Sequence, residues 1–308
     1  MRDLRERGGA GLTLLELLVV VAIIAILASL LLMGLASAKA KAHAIHCRSN
    51  VRQISLSWAI AVDDDSGKLG AYGVSFGTEG EGFQGNAMQD WMAKHYGKPA
   101  EGWICPAAQV PPPDNEPLLY SIFGRFQLGT VSSAWHVTGP DGYWWFLGRD
   151  GPGQDRAGSY GKNDWLGYWW GPGWEPPHAA NVIWEGPGPL SRSFLSSSSV
   201  QRPSETPVFS DAVYVWAIFP RATDRPATDL QTGRLADGYA PGMSLLNIPR
   251  HGSRPYRVPR SYPSDQILPG AINVSFFDGH VEAVRLERLW QLSWHRDYKP
   301  PAKRPGLP

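Results

Sequence analysis

The sequence predicts an α+β protein, in which a long N-terminal helix, first membrane-spanning and then amphipathic, packs on a loop-rich antiparallel β body. Three observations predict it. Residues 11–35 of the 308-residue chain form a nearly unbroken apolar run. Beyond that run, apolar side chains recur at helical spacing as far as Val62. The remainder is rich in Gly, Pro and Trp, and two strand-like runs joined by Asp278-Gly279 stand near its end.

The apolar run comes first. From Leu17 to Met33 there is no charged residue, and Ser29 is the one hydroxyl. At about 1.5 Å per residue this stretch spans roughly 25 Å, near the hydrocarbon thickness of a bilayer, and Leu12, Leu14 and Leu15 extend it. Glu16 interrupts the pattern. A carboxylate at bilayer depth costs on the order of 2.5–3.5 kcal/mol on insertion scales, so an acid there points to function. The alternative places Glu16 at the headgroup level. Arg2, Arg5 and Arg7 precede the run and favour a cytoplasmic N-terminus, although Lys39, Lys41, Arg48 and Arg52 follow it. A conventional secretory peptide would have an apolar region of about 7–15 residues ending at a small-residue cleavage site. This run is longer and continues as a helix.

The string Gly11-Leu12-Thr13-Leu14-Leu15-Glu16-Leu17-Leu18, behind a short charged leader, resembles the class III signal of type IV pilins and type II secretion pseudopilins. The resemblance implies cleavage after Gly11 by a prepilin peptidase on the cytoplasmic side and methylation of the new amine on Leu12. It further implies that Glu16 meets the N-terminal amine of a neighbouring subunit in a filament. Pairing with an ammonium would offset much of the cost of burying that carboxylate. Two features depart from the family pattern: Leu12 replaces the usual Phe, and Met33-Gly34 stands where a helix-bending proline is usual.

Residues 36–42, Ala-Ser-Ala-Lys-Ala-Lys-Ala, are good helix formers. Cys47, Val51, Ile54, Trp58 and Val62 then recur at steps of four, three, four and four, which places them on one helix face. Asp63-Asp64-Asp65-Ser66-Gly67 ends the helix. The division is therefore a leader over 1–11, a helix over 12–62 (transmembrane about 12–35, amphipathic 36–62) and an extracytoplasmic body over 63–308. His43 and His46 beside Cys47 lack further ligands at standard spacing and read as a solvated face. The two cysteines, Cys47 and Cys105, both fall outside the cytoplasm in this orientation. They suggest one disulfide tying helix to body, the alternative being two free buried thiols. Trp103-Ile104-Cys105-Pro106 reads as a short strand ending at proline.

Over the whole chain Gly and Pro number 34 and 27, about a fifth of its residues against an ordinary share of about 12%. Fourteen tryptophans favour rings filling the core of a β body poor in aliphatics. The alternative is a sugar-stacking surface, with Trp169 and Trp170 as the glycan-binding pair. Residues Pro207-Val208-Phe209-Ser210-Asp211 read as a short buried strand closing on an acid. Ala271–Val284 reads as a two-residue hairpin at Asp278-Gly279. With Arg250-His251-Gly252 upstream, this end resembles the closing motif of a large pseudopilin-like family, in which a histidine precedes an Asp-Gly hairpin. Here 26 residues separate His251 from Asp278, so Ser253–Gly270 reads as an insertion.

His251, Asp278 and His280, with Asp211 as a further candidate, are the residues that a metal could use. Imidazole and carboxylate would suit zinc, and calcium would want more oxygens. The competing reading makes Asp278-Gly279 a turn and His280 a strand residue, with no cofactor. Neither cysteine has a partner that would make it a nucleophile, and the chain does not read as an enzyme. Its net charge of +1 gives no sign of a nucleic-acid partner. The expectation is a single-pass inner-membrane subunit of a type II secretion or type IV pilus-like filament, its body periplasmic or extracellular. Its partners would be the prepilin peptidase and other pilin or pseudopilin subunits. The second reading is a membrane-anchored glycan-binding protein.

Overall fold

In the computed structural model the described residues are 13–64, 66–69, 100–108, 118–121, 124–138, 156–167, 190–214, 218–236, 242–252 and 258–308. The chain divides into two compact units, Met1–Ala42 and His43–Pro308. One helix, α1 (Leu14–Asp64), belongs to both.

In the first unit, α1 presents exposed Leu, Ile and Val all round from Leu14 to Leu35. An all-round apolar helix of this length is stable in hydrocarbon, and α1 is long and apolar enough to cross a membrane. Ser29 Oγ donates to the Ile26 carbonyl at 2.7 Å, so the one hydroxyl in the run is satisfied within the helix.

In the second unit, the character of α1 changes. Cys47, Val51, Ile54, Trp58 and Val62 are all buried, as the helical spacing predicts, and Ala61 joins them. They form a cluster with Trp103, Tyr160, Leu166, Phe194 and Phe209. Trp58 packs edge-on against Phe209 and Phe277, with ring centroids 6.3 and 5.7 Å apart. The helix ends in a Schellman turn: the Gly67 amide donates to the Val62 carbonyl at 2.8 Å and the Ser66 amide to Asp63 at 2.9 Å. Ser66 holds the left-handed position of that turn, with φ 57°.

The β structure is two four-stranded antiparallel sheets. β1 (Leu118–Ser121), β2 (Gly124–Gln127), β3 (Trp135–Thr138) and β4 (Arg156–Gly158) pair in chain order. β5 (Tyr160–Lys162), β6 (Pro207–Asp211), β7 (Ala271–Phe276) and β8 (Val281–Arg285) form the second sheet, also in chain order. Ser159 alone separates β4 from β5, so the chain steps from one sheet to the other within one residue. Every residue of β6 is buried. Its proline is the first strand residue, a place that asks no ladder hydrogen bond of it. Against β7 its register shifts between Pro207 and Ser210. The Ser275 hydroxyl accepts from the Phe209 amide at 3.0 Å and fills that irregularity.

Two local expectations need correction. Residues 103–106 do not form a strand. Ala100–Trp103 is a 3₁₀ turn and the Ala108 amide donates to the Cys105 carbonyl, so the chain coils tightly around Pro106. The hairpin loop holds three residues, not two. The Phe276 amide pairs with the His280 carbonyl, leaving Phe277, Asp278 and Gly279 between, with Gly279 at φ 88°. The extra residue frees Phe277 to pack on Trp58.

A second core cluster centres on Trp135, Trp165, Trp290 and Trp294. All six described tryptophans are buried, and their rings fill the core. Val258 and Leu268 join this cluster, so the described part of the Pro/Arg-rich stretch after His251 is built into the body.

Candidate functional site

Two places carry the chemistry, one in each unit. In the first, the helix start is locked by a reciprocal capping box. Glu16 Oε2 accepts from the Thr13 amide and the Thr13 hydroxyl, each at 2.9 Å, while the Glu16 amide donates to Thr13 Oγ1 at 3.2 Å. Thr13 was missed in the sequence, although Thr-x-x-Glu ahead of an apolar run is the signature of such a box. Gly11 and Leu12 lie outside the described residues.

In the second unit, Cys47 of α1 is bridged to Cys105, with Cα atoms 4.9 Å apart and a sequence separation of 58. Both are fully buried. Around the bridge lies a buried polar cluster. His251 Nε2 sits 3.8 Å from Cys105 Sγ and 3.2 Å from Asp211 Oδ2. Asp211 ends β6; its Oδ2 also accepts from the Asn273 amide of β7 at 2.7 Å, and its Oδ1 lies 3.2 Å from Arg250 Nη1. The Arg250 guanidinium further donates to the carbonyls of Ser159 at 2.6 Å, Thr130 at 2.9 Å, Val131 at 3.3 Å and Ala212 at 3.4 Å. Tyr160 donates its hydroxyl to the Cys47 carbonyl at 3.4 Å, and Asn50 bonds the Ile104 carbonyl. Burial alone would raise the Asp211 carboxyl. The His251 charge and hydrogen bond, Arg250 and the Asn273 amide outweigh it and hold the group below the usual carboxylate range. Burial, with the Asp211 charge nearby, pushes the Tyr160 phenol far above its ordinary value, so it stays a neutral donor.

The sequence-derived candidates separate accordingly. The disulfide between Cys47 and Cys105 is present. His251, Asp278 and His280 do not converge. His251 bridges Ala271 at the start of β7, whereas Asp278 and His280 sit in the loop beyond its end, roughly seven residues or about 23 Å of strand away. His280 Nδ1 contacts Asp278 Oδ1 at 2.6 Å in an exposed turn, and the His280 ring stacks on Phe276. Among the described residues, the group that brings three metal-type ligands together is Cys47, Cys105 and His251, all within 4.8 Å of one another. Asp211, the further candidate, is the residue that meets His251. His43 and His46 lie half-buried and exposed on α1, and Trp169 and Trp170 fall outside the described residues.

Compared with known proteins, residues 7–32 match the prokaryotic N-terminal methylation motif. No curated protein and no solved structure matches the chain. The motif spans the end of the charged leader from Arg7, Gly11, the Thr13–Glu16 capping box and most of the exposed apolar stretch of α1. The chain therefore carries a type IV pilin or pseudopilin-like N-terminal signal at the head of an α+β body.

Proposed function

We propose that this protein is a pseudopilin-like subunit of a type II secretion or type IV pilus-like filament. A prepilin peptidase cuts between Gly11 and Leu12 and methylates the Leu12 amine. The helix α1 then anchors the chain in the membrane and packs beside those of other subunits, with the body outside the cytoplasm. The role is structural rather than enzymatic. The observation that carries this reading is the match of residues 7–32 to the methylation motif, with Glu16 the one acid in an otherwise apolar segment. Glu16 pairs with the terminal amine of a neighbour and sets the register of assembly, because an ammonium offsets much of the cost of a carboxylate in a desolvated place.

The mass of the N-terminal peptide from protein isolated in its native membrane tests the processing step. A peptide beginning at Leu12 with one added methyl is expected; an intact Met1, or a cut beyond the apolar run, would end the proposal. Glu16→Ala tests assembly: the variant inserts in the membrane to normal levels yet is depleted at least tenfold from filament fractions. Normal incorporation would remove the pairing role.

A further inference from the structure

Cys47 and Cys105 with His251 form the one tight group of metal-type ligands among the described residues, and its sulfurs are joined in a disulfide. We infer that the reduced chain binds one thiophilic divalent cation of the zinc class there, through Cys47 Sγ, Cys105 Sγ, His251 Nε2 and Asp211 Oδ2. The disulfide and the metal site are then alternative states of the same four residues.

Three observations carry this. The first is distance. In a tetrahedral zinc site, sulfur and nitrogen ligands lie about 3.6 Å apart, and nitrogen and oxygen ligands about 3.4 Å. The corresponding separations here are 3.8 Å, from Cys105 Sγ to His251 Nε2, and 3.2 Å, from His251 Nε2 to Asp211 Oδ2. Once their bond is broken the two sulfurs part to about 3.8 Å, and the three ligand atoms of this group, already within 4.8 Å of one another, close on the ion with Asp211 Oδ2 drawn in as the fourth. The second is charge. Two thiolates and the Asp211 carboxylate balance a divalent cation and the Arg250 guanidinium, so this fully buried cluster stays neutral with the metal bound. In the disulfide state Asp211 is paired with Arg250. The third is support behind the ligands. Asp211 is held by Asn273 and Arg250, and His251 by its backbone bridge to Ala271, so both ligands are positioned before any ion arrives.

The interconversion balances as follows. A dithiol reductant gives two electrons and two protons to the Cys47–Cys105 bond and leaves as its own cyclic disulfide. The two thiols formed then release their protons as the cation binds. In the metal-bound state His251 offers the Nε2 lone pair to the ion and carries its proton on Nδ1. A second disulfide, which takes the two electrons and two protons from water and leaves as its dithiol, rejoins the sulfurs and expels the ion. A newly exported chain could thus be clipped from helix to body before its disulfide forms.

The test uses the full-length chain in detergent micelles, reduced with a phosphine and titrated with cobalt(II). One cobalt per chain is expected, with thiolate charge-transfer bands and the visible bands of a tetrahedral ion, both removed by one equivalent of zinc and both absent from the oxidised chain. Zinc-edge absorption on the same reduced chain should show two sulfurs and at least one imidazole nitrogen, which needs no variant at a buried position. Replacing both His43 and His46 with Ala should leave binding unchanged, whereas Cys105→Ser should abolish the sulfur bands. A reduced chain that keeps its near-ultraviolet tryptophan signal yet takes up no cobalt would overturn the inference. So would a loss of that signal on reduction, a shell of sulfurs without imidazole, or binding that depends on His43 and His46.

Discussion

Arg250 shows what one residue can hold together. Its side chain is fully buried and reaches four carbonyls and one carboxylate, from the loop after β2, from Ser159 between the two sheets, and from the end of β6. Replacing it with Met leaves Asp211 as a buried charge short of its cation and leaves those carbonyls without a donor. We expect Arg250→Met to lower the unfolding free energy by about 3–5 kcal/mol in denaturant titration, with His251→Gln costing less. His295 carries a different signature. Burial, and then the nearby Arg192 and Arg221 charges, push its imidazole down to about 4, with Asp297 opposing, and its ring lies against Trp165 and Tyr298. It stays neutral in the fold while the unfolded chain takes up a proton near pH 6.5. Its contribution is therefore complete above about pH 6.5 and is lost as the pH falls toward 4, by about 2 kcal/mol after allowance for screening. His295→Gln should flatten the stability profile between pH 6.5 and 4, a window well above that of the depressed Asp211 carboxyl. None of this cluster is visible as a motif. Asp211, Arg250, Cys47 and Cys105 are scattered over two hundred residues, and they meet only through tertiary contacts between helix, turn, loop and strand. His251 stood out because of its neighbours in sequence, and it was therefore matched with Asp278 and His280 at the wrong end of β7.

At the scale of elements, legibility tracked periodicity. The buried face of α1 was readable because an amphipathic helix writes its core at steps of three and four, and β6 because five buried residues in a row suit a strand within a sheet. Short-range chemistry was less readable. The hairpin signal at Asp278-Gly279 located the turn but not its length, which Phe277 decides through its tertiary contact with Trp58. Proline after Cys105 suggested the end of a strand, where it instead stands in a tight turn. The C-terminal turn of α1 carries an avoidable cost. Ser66 is the single non-glycine residue at positive φ among the described residues, at 57°, in a position where glycine is the usual choice. Ser66→Gly should raise stability by about 0.5–1 kcal/mol, read as a higher denaturation midpoint with unchanged cooperativity. A decrease would mean that the Ser66 side chain has a role beyond filling the turn.

Across the whole molecule, the Gly, Pro and Trp content foretold a body in which short strands and turns surround buried rings, and six buried tryptophans bear that out. The covalent tie acts mainly on the unfolded chain. Closing a loop of 58 residues restricts the unfolded chain enough to contribute about 4 kcal/mol. Reduction should lower the melting temperature of the body by about 10 °C, measured by tryptophan fluorescence, without changing the folded spectrum. The place of that tie has a mechanical consequence. Cys47 lies five residues beyond Ala42, where the anchoring unit ends and the body begins. A pull transmitted along α1 from the membrane side enters the body at Cys47 and crosses to Cys105 through a covalent bond. The intervening chain, with Val51, Ile54 and Trp58 in their cluster, stays out of the load path, so tension cannot peel the helix from the body one turn at a time. About 200 Å of contour length is thereby withheld from extension for as long as the two sulfurs remain joined.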